Sequence, residues 1–327
     1  MTSTTPRAAA PPPQPTTPDR PTSGPRPGSS LASRIRRRAE GYLYVAPFFL
    51  VFAVFGLYPL VYTGWVSLHD WDPLGDSTFI GLDNYERLLF DDPRFWNSVR
   101  NTLSIWVLST VPQLIFALVL AQVLNERLLR GKTFFRMALL VPNITSVLAV
   151  AIVFTSIFGR DYGIVNWILE SLGFERINWQ AEKWSSHLAI ATMVMWRWTG
   201  YNALIYLAGM QAIPRELYEA AMIDGASRWR QFVHVTVPQL RPTIIFTVII
   251  STIGGMQIFA EPLVFGGDRG TEGGSGRQFQ TMTLFLYEQG FRRFNFGYAS
   301  AVAWLLVFLI AIFAVVNFFI VRRISTS

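Results

Sequence analysis

The chain has 327 residues, 51% of them hydrophobic and only 15% charged, with a net charge of +7. Soluble domains carry about 25% charged residues, so this balance marks a membrane protein. With no cysteine, a disulfide framework, thiol catalysis and cysteine-held zinc or iron–sulfur centres are excluded. The three histidines, His69, His187 and His234, are scattered, and the lack of an H-E-x-x-H pattern argues against a catalytic metal.

In chain order, residues 1–38 come first. They are rich in Pro, Ser, Thr and Ala without apolar periodicity, and end in a run of arginines. Such a segment cannot bury enough surface to offset its ordering entropy, so a disordered cytoplasmic tail is expected. The next run, RIRRRAEGYLYVAPFFLVFAVFGLYPLVY, has the charge and hydropathy of a signal sequence. Its apolar part is long enough to span and no small-residue cleavage site follows, so it reads as an uncleaved first span.

A helix needs about 20 mostly apolar residues to cross the hydrocarbon core. Six stretches qualify, at about 43–67, 99–124, 134–158, 187–212, 240–264 and 298–321. Residues 39–327 therefore form one all-α membrane domain of six transmembrane helices. Most of the Lys and Arg fall in the tail and in the loops on the tail's side, while most of the Asp and Glu fall on the other side. By the positive-inside rule, both termini are cytoplasmic. The basic balance reflects topology and does not indicate a nucleic-acid partner.

One cytoplasmic loop, about 213–239, looks like folded structure. It starts at Pro214, continues through the helix formers Ala220, Ala221 and Met222, and turns at Asp224-Gly225, where glycine accepts positive φ. A second short helix carries Trp229, Phe232 and Val233 at helical spacing before Pro238. An amphipathic surface helix explains part of this. The glycine break followed by an apolar helix suits an element that docks in another protein's groove.

The pattern Glu219-Ala220-Ala221, Gly225, then Val235-Thr236-Val237-Pro238 resembles the signature loop of ABC importer permeases, with Val in place of the usual Ile and Leu. FIGLDNYERLL (79–89), FWNSVRNTLSIW (95–106), LLVPNITSVLAVAIVFTSIF (139–158) and FGYASAVAWLLVFLI (296–310) resemble the maltose-type oligosaccharide branch of that family. The large extracellular insertion of the maltose permease has no counterpart here; the outer loops are about 30 residues each. MQIFAEPLVFGG and RQFQTMTLFLYEQGF resemble permeases for β-linked disaccharides such as cellobiose.

The resemblance implies a type I ABC importer transmembrane domain in a bacterial cell membrane, working by alternating access. A second related permease, two ATPase subunits and an extracytoplasmic sugar-binding lipoprotein would complete it. Glu219, Ala220, Ala221, Asp224, Gly225 and Pro238 would form the ATPase-coupling element. Glu219 would pair with a basic residue of the ATPase, and Gly225 would supply the bend.

This chain is not expected to hydrolyse ATP. Gly131-Lys132-Thr133 imitates the end of a P-loop, but Glu126 stands where its first glycine belongs. ATP and Mg would therefore be bound by the partner, with no cofactor on this chain. The Gly-rich 266–276 region lacks a Lys-Ser/Thr pair and reads as an external loop.

Ionisable residues within spans default to functional hypotheses. Arg197 and Glu261 either pair with each other or face a solute cavity. A sugar site needs flat aromatic faces and side chains that satisfy many hydroxyls. Trp196, Trp198, Tyr201, Asn202, Gln257, Phe259 and, near Pro142, Asn143 with Ser146 offer that mix. Helix packing and an interfacial aromatic belt are the competing explanations for each. Gly254-Gly255 would allow close helix contact or a break in the span. The alternatives in function are a same-family permease for another solute, such as glycerol phosphate, and an ion channel.

Overall fold

The computed structural model describes residues 42, 44–71, 75, 77–126 and 130–325. The expected 1–38 tail and its arginines lie outside the described residues. Contacts divide the chain into two units at Pro59. In the first, the described residues from Tyr44 onward belong to helix α1 (Tyr44–Val66), which continues beyond the division. Ala53–Leu57 widen into a π-turn, and every described side chain from Tyr44 to Pro59 except Gly56 is exposed. With mean hydropathy 2.0, such a helix needs a surrounding that is not water.

In the second unit, a two-residue antiparallel hairpin pairs His69 with Phe79 and Asp70 with Thr78. The short helix α2 (Asp83–Glu86) and a π-turn then lead into α3 (Pro93–Asn125). The start of α3 is fixed by Asp92, whose carboxylate accepts from the Arg94 amide, and by Pro93 in the first turn. Helix α4 (Lys132–Ile144) and helix α5 (Val147–Ile157) meet at 94°. Next come α6 (Ile164–Ser171) and the long α7 (Lys183–Gln211). A pair of short helices follows, α8 (Arg215–Ile223) and α9 (Arg228–Gln231). Helices α10 (Arg241–Met256) and α11 (Ala260–Phe265) are separated by Gln257–Phe259. Helix α12 (Met282–Tyr287) and α13 (Phe296–Ser325) complete the order.

The centre of the unit is α3 packed along α7, with α10 against both. On α3 the buried positions Ser98, Thr102, Ile105, Ser109, Gln113, Ala117 and Ala121 recur every three or four residues. Small and hydroxyl side chains dominate that stripe, which permits the close approach that drives packing where hydrophobicity cannot. α4 lies across α7 so closely that a Cβ on Gly200 would fall 1.9 Å from the Leu139 carbonyl oxygen. Helix α11 packs on α5, and α13 packs on α10 and α12.

Two expected spans differ in form. The 134–158 stretch is broken where Thr145 and Ser146 adopt extended backbone, with ψ 143° and 128°. The 240–264 stretch is interrupted at Gln257–Phe259, where the backbone leaves the helical region. Among the described residues, four helices are long and apolar enough to cross a membrane, or five if α4 and α5 count as one span. The 29-residue α7 is long enough but too polar to join them, because His187, Arg197, Asn202 and neighbouring aromatics lower its hydropathy. His187 and Asn202 are buried inside the bundle rather than turned to lipid.

Candidate functional site

The Gly225 element is built as a stopped helix followed by a short second one. At the end of α8, Gly225 takes φ +73°, the left-handed conformation. Its amide donates to the Met222 carbonyl at 3.0 Å, and the Ala226 amide to the Ala221 carbonyl at 2.9 Å. This is the Schellman arrangement, which satisfies carbonyls that would otherwise be orphaned. Ser227 then opens α9 by accepting from the Arg230 amide. Tyr218 and Phe232 turn inward onto a core that includes Leu240, Leu207 and Met210, and the Tyr218 hydroxyl meets Thr236 Oγ1 at 2.9 Å. Arg228 reaches Glu126, at the end of α3, at 3.3 Å.

The outward side of the element is unusual for a polar loop. Met222, Ile223 and Trp229 are exposed, Ile223 by 86% and Trp229 by 72%. Glu219, Ala220, Asp224 and Gly225 are exposed beside them, Ala221 and Pro238 half-buried. The element thus exposes acidic, basic and apolar side chains together, the composition of a docking element. From Thr236 the chain runs through Pro238 into α10 without a loop.

The intramembrane candidates divide into groups. Arg197 on α7 donates from Nη1 to Glu261 Oε1 at 2.9 Å, so the two ionisable residues are partners. Glu261 is buried, and the Arg197 Nε is buried without a partner among the described residues. Trp198 packs edge-on to Tyr201 at 6.0 Å and lies against Gly254. Trp196, half-exposed, sits 5.5 Å from Phe154 and lines an apolar groove of about 290 Å³ with Thr145, Ala149 and Val153, beside the bend between α4 and α5. Asn143 lies at that bend, half-buried. Gln257 is exposed at the break between α10 and α11.

Two candidates are engaged elsewhere in this conformation. Asn202 is fully buried and donates to Ser251 Oγ at 3.1 Å, which also receives Gln113 Nε2 at 3.2 Å. It joins α7 to α10. Phe259 packs at a tilt against Tyr287, ring centroids 5.2 Å apart. Gly255 is in close contact: a Cβ there would meet Trp106 Cδ1 at 2.8 Å. The break three residues later frees the Ile258 carbonyl, and the hydroxyls of Thr281 and Thr283 donate to it.

A polar hub not legible in the sequence pins the 266–281 segment. Glu288, buried, receives Arg277 Nη1 and Gln280 Nε2 at 2.6 Å each and Arg293 Nη2 at 2.8 Å. Burial alone would raise its pKa. The hydrogen bonds from Arg277 and Gln280, the Arg277 charge and the Arg293 bond outweigh burial and hold it at about 2. The Arg277 carbonyl accepts from Asn97 at 2.8 Å and Asn101 at 3.0 Å on α3. Partners almost 180 residues apart leave no local sequence signal.

The description "binding-protein-dependent transport system inner membrane component" belongs to the family model that matches residues 102–326. The chain belongs to that family. The matched segment contains the Gly225 element and every intramembrane candidate, and the protein is a multi-pass inner-membrane transport subunit rather than an enzyme. This inner membrane component is 37% identical over 287 residues to the lactose transport system permease protein LacF of Rhizobium radiobacter, covering 87% of this chain and 94% of that one. It is 35% identical over 282 residues to the arabinooligosaccharides permease AraP of Bacillus subtilis (86% and 88% covered). The trehalose/maltose permease MalF of Thermococcus litoralis is 34% identical over 291 residues (88% and 96%). Among solved structures, a chain of a bacterial ABC transporter that imports the acidic polysaccharide alginate superposes with a TM-score of 0.76. That match has 22% identity and covers 90% of this chain and 99% of the other, so the fold is that of an ABC importer permease.

Proposed function

We propose that this subunit imports a neutral di- or oligosaccharide, with a cellobiose-like β-linked disaccharide as the specific expectation. The observation that carries the importer reading is the cytoplasmic element: a helix stopped by a left-handed Gly225, with Glu219, Met222, Ile223 and Trp229 projecting from it. An element of this kind has a use only if something binds it. That partner is one of two ATPase subunits, which hold the ATP and Mg. A second related permease completes the pathway, and an extracytoplasmic sugar-binding lipoprotein delivers the solute. Relatives named for lactose, arabinooligosaccharide and trehalose/maltose transport support a saccharide. A solved alginate importer described in complex with a sugar-bound periplasmic protein supports the delivery step.

The chain crosses the membrane six times with both termini in the cytoplasm, the broken α4–α5 pair and polar α7 supplying the third and fourth crossings. ATP-driven closure of the ATPases shifts the permease between two states. This requires that ATP bind one state more tightly than the other. Motion of α8 and α9 passes directly into α10, and from there to the Gln257–Phe259 break and to Glu261. The solute site is assigned to that break and to the facing part of α7, with Arg197, Glu261, Trp196, Trp198, Tyr201 and Gln257 contributing.

The Arg197–Glu261 pair supports a neutral solute. An anion such as glycerol phosphate wants an unmatched cation, and Arg197 is matched. Cells expressing the complete importer should take up labelled disaccharide, with neutral disaccharides competing and glycerol phosphate not. Glu219→Ala and Gly225→Pro should abolish uptake while the ATPase continues to turn over. Wild-type uptake by both variants would remove the coupling assignment, and competition by glycerol phosphate alone would remove the saccharide.

A further inference from the structure

Helix α6 is apolar on both sides. One side, Val165 and Leu169, packs on Phe158 and Trp179, and Asn166 buries its amide against the Gly159, Arg160 and Ile177 carbonyls. That bonding fixes the helix rigidly to the end of α5. The opposite side presents Ile164, Trp167, Ile168 and Leu172, all exposed, with Tyr162 fully exposed just before it and Phe174 just after. The spacing i, i+3, i+4, i+8 puts these four on one stripe. A stripe of this kind on a rigid helix is a contact surface.

Three observations indicate what it contacts. The segment lies between two membrane elements, starting seven residues after Ile157 at the end of α5 and ending before Lys183 at the start of α7, so it cannot extend far from them. The surfaces on either side of it are themselves apolar and exposed: Ile152 and Val153 on α5, Trp184 and Leu188 on α7. The stripe is joined to both through short connections in the chain. With Tyr162 just before it, the stripe mixes aromatic Trp167 with aliphatic residues, the composition of side chains placed at the level of lipid headgroups.

We infer that α6 is an interfacial helix, lying in the headgroup–acyl boundary of the bilayer with Ile164, Trp167, Ile168 and Leu172 in the lipid. Acidic and basic residues between 158 and 183 nearly cancel, and Arg176 is already bound to Glu170 at 2.7 Å. Apolar burial, rather than attraction to anionic lipid, therefore holds the helix there. The helix fixes the depth of the α5 end and the α7 start, and so the height at which Trp196 and Arg197 sit in the membrane.

The lack of native cysteine makes the test direct. Single cysteines at Ile164, Ile168 and Leu172, and at Glu175 as the aqueous reference, are spin-labelled in the full chain purified with its co-purifying subunits. The assembly is reconstituted in phosphatidylethanolamine–phosphatidylglycerol vesicles. Collision with oxygen, which concentrates in lipid, is compared with collision with a water-soluble nickel chelate. The inference predicts oxygen collisions exceeding nickel collisions at 164, 168 and 172, the reverse at 175, and little change when phosphatidylglycerol is replaced by phosphatidylcholine. Nickel-dominated collisions at 168 and 172 would overturn it, as the stripe would face water. Labels shielded from both reagents would also overturn it, showing a protein partner such as the binding protein or the second permease. Neither result bears on the coupling assignment, which is read by uptake.

Discussion

Arg197 Nη1 donates to Glu261 Oε1 at 2.9 Å, tying the middle of α7 to the first turn of α11. Only one covalent path joins these helices, and it runs through α8, α9 and α10. The pair is thus a second link, made through space, between the segment that the ATPases would move and the helix that carries the aromatic candidates.

Breaking that link from one side leaves a buried charge. Arg197→Ala should destabilise the purified protein by about 3–5 kcal/mol, because the Glu261 carboxylate loses its partner. The double variant Arg197→Met with Glu261→Gln should recover most of that loss. Thermal unfolding in detergent reads both. Equal instability of the single and double variants would mean that the pair is not what the helices depend on.

Gly225 at φ +73° sets a second expectation. An L-residue with a Cβ costs about 1–2 kcal/mol in that conformation. Gly225→Val should loosen the end of α8 and lower uptake, whereas Gly225→Asn, which tolerates the left-handed region, should retain most of it. Nothing lies within 4 Å of a Cβ placed there, so the effect is conformational rather than steric. Uptake equal in Val and Asn variants would contradict this.

The exposed aromatic on α9 separates docking from folding. Trp229→Ala removes a surface side chain, so stability should stay within about 0.5 kcal/mol of the parent. Association with the ATPase should weaken by about 2 kcal/mol, roughly thirtyfold, as for a central interface anchor. Titrating purified ATPase against the variant in nanodiscs measures this, and unchanged affinity would place Trp229 outside the contact.

Glu288 gives a pH dependence with a definite sign. Its pKa falls from an ordinary 4.5 to about 2 on folding. A group with a depressed native pKa contributes stability that is complete above the unfolded value and is lost as pH falls. The 266–293 segment should keep its hydrogen-exchange protection above about pH 4.5 and lose it progressively toward pH 2. Glu288→Gln should flatten that profile.

Features that depend on neighbours in sequence were legible, and those that depend on distant partners were not. The turn at Asp224-Gly225 could be read because one residue type answers one backbone requirement. Four of the expected spans could be read because their apolar runs are long. The bend at Thr145–Ser146 was hidden inside LLVPNITSVLAVAIVFTSIF, where only Pro142 signals a break and the chain turns three residues later. The interruption at Gln257–Phe259 follows the glycine pair, while Gly255 itself serves contact with Trp106. The pairing of Arg197 with Glu261 was one of two readings, since sequence does not say which way α7 is rotated. Asn202 looked like a hydroxyl ligand and proved to be bonded to Ser251, a choice made by the register of α7 on α10.

The central claim is that the face carrying Ile223 and Trp229 binds an ATPase subunit. A photo-crosslinking amino acid at Ile223, 86% exposed, in the tagged chain within its own membrane tests it directly. Irradiation, mild-detergent purification and mass spectrometry should give one covalent adduct whose partner peptide comes from an ATPase. A second permease and a sugar-binding lipoprotein should co-purify without being crosslinked at that position. Adducts only to lipid, or to no protein while uptake remains intact, would contradict the account.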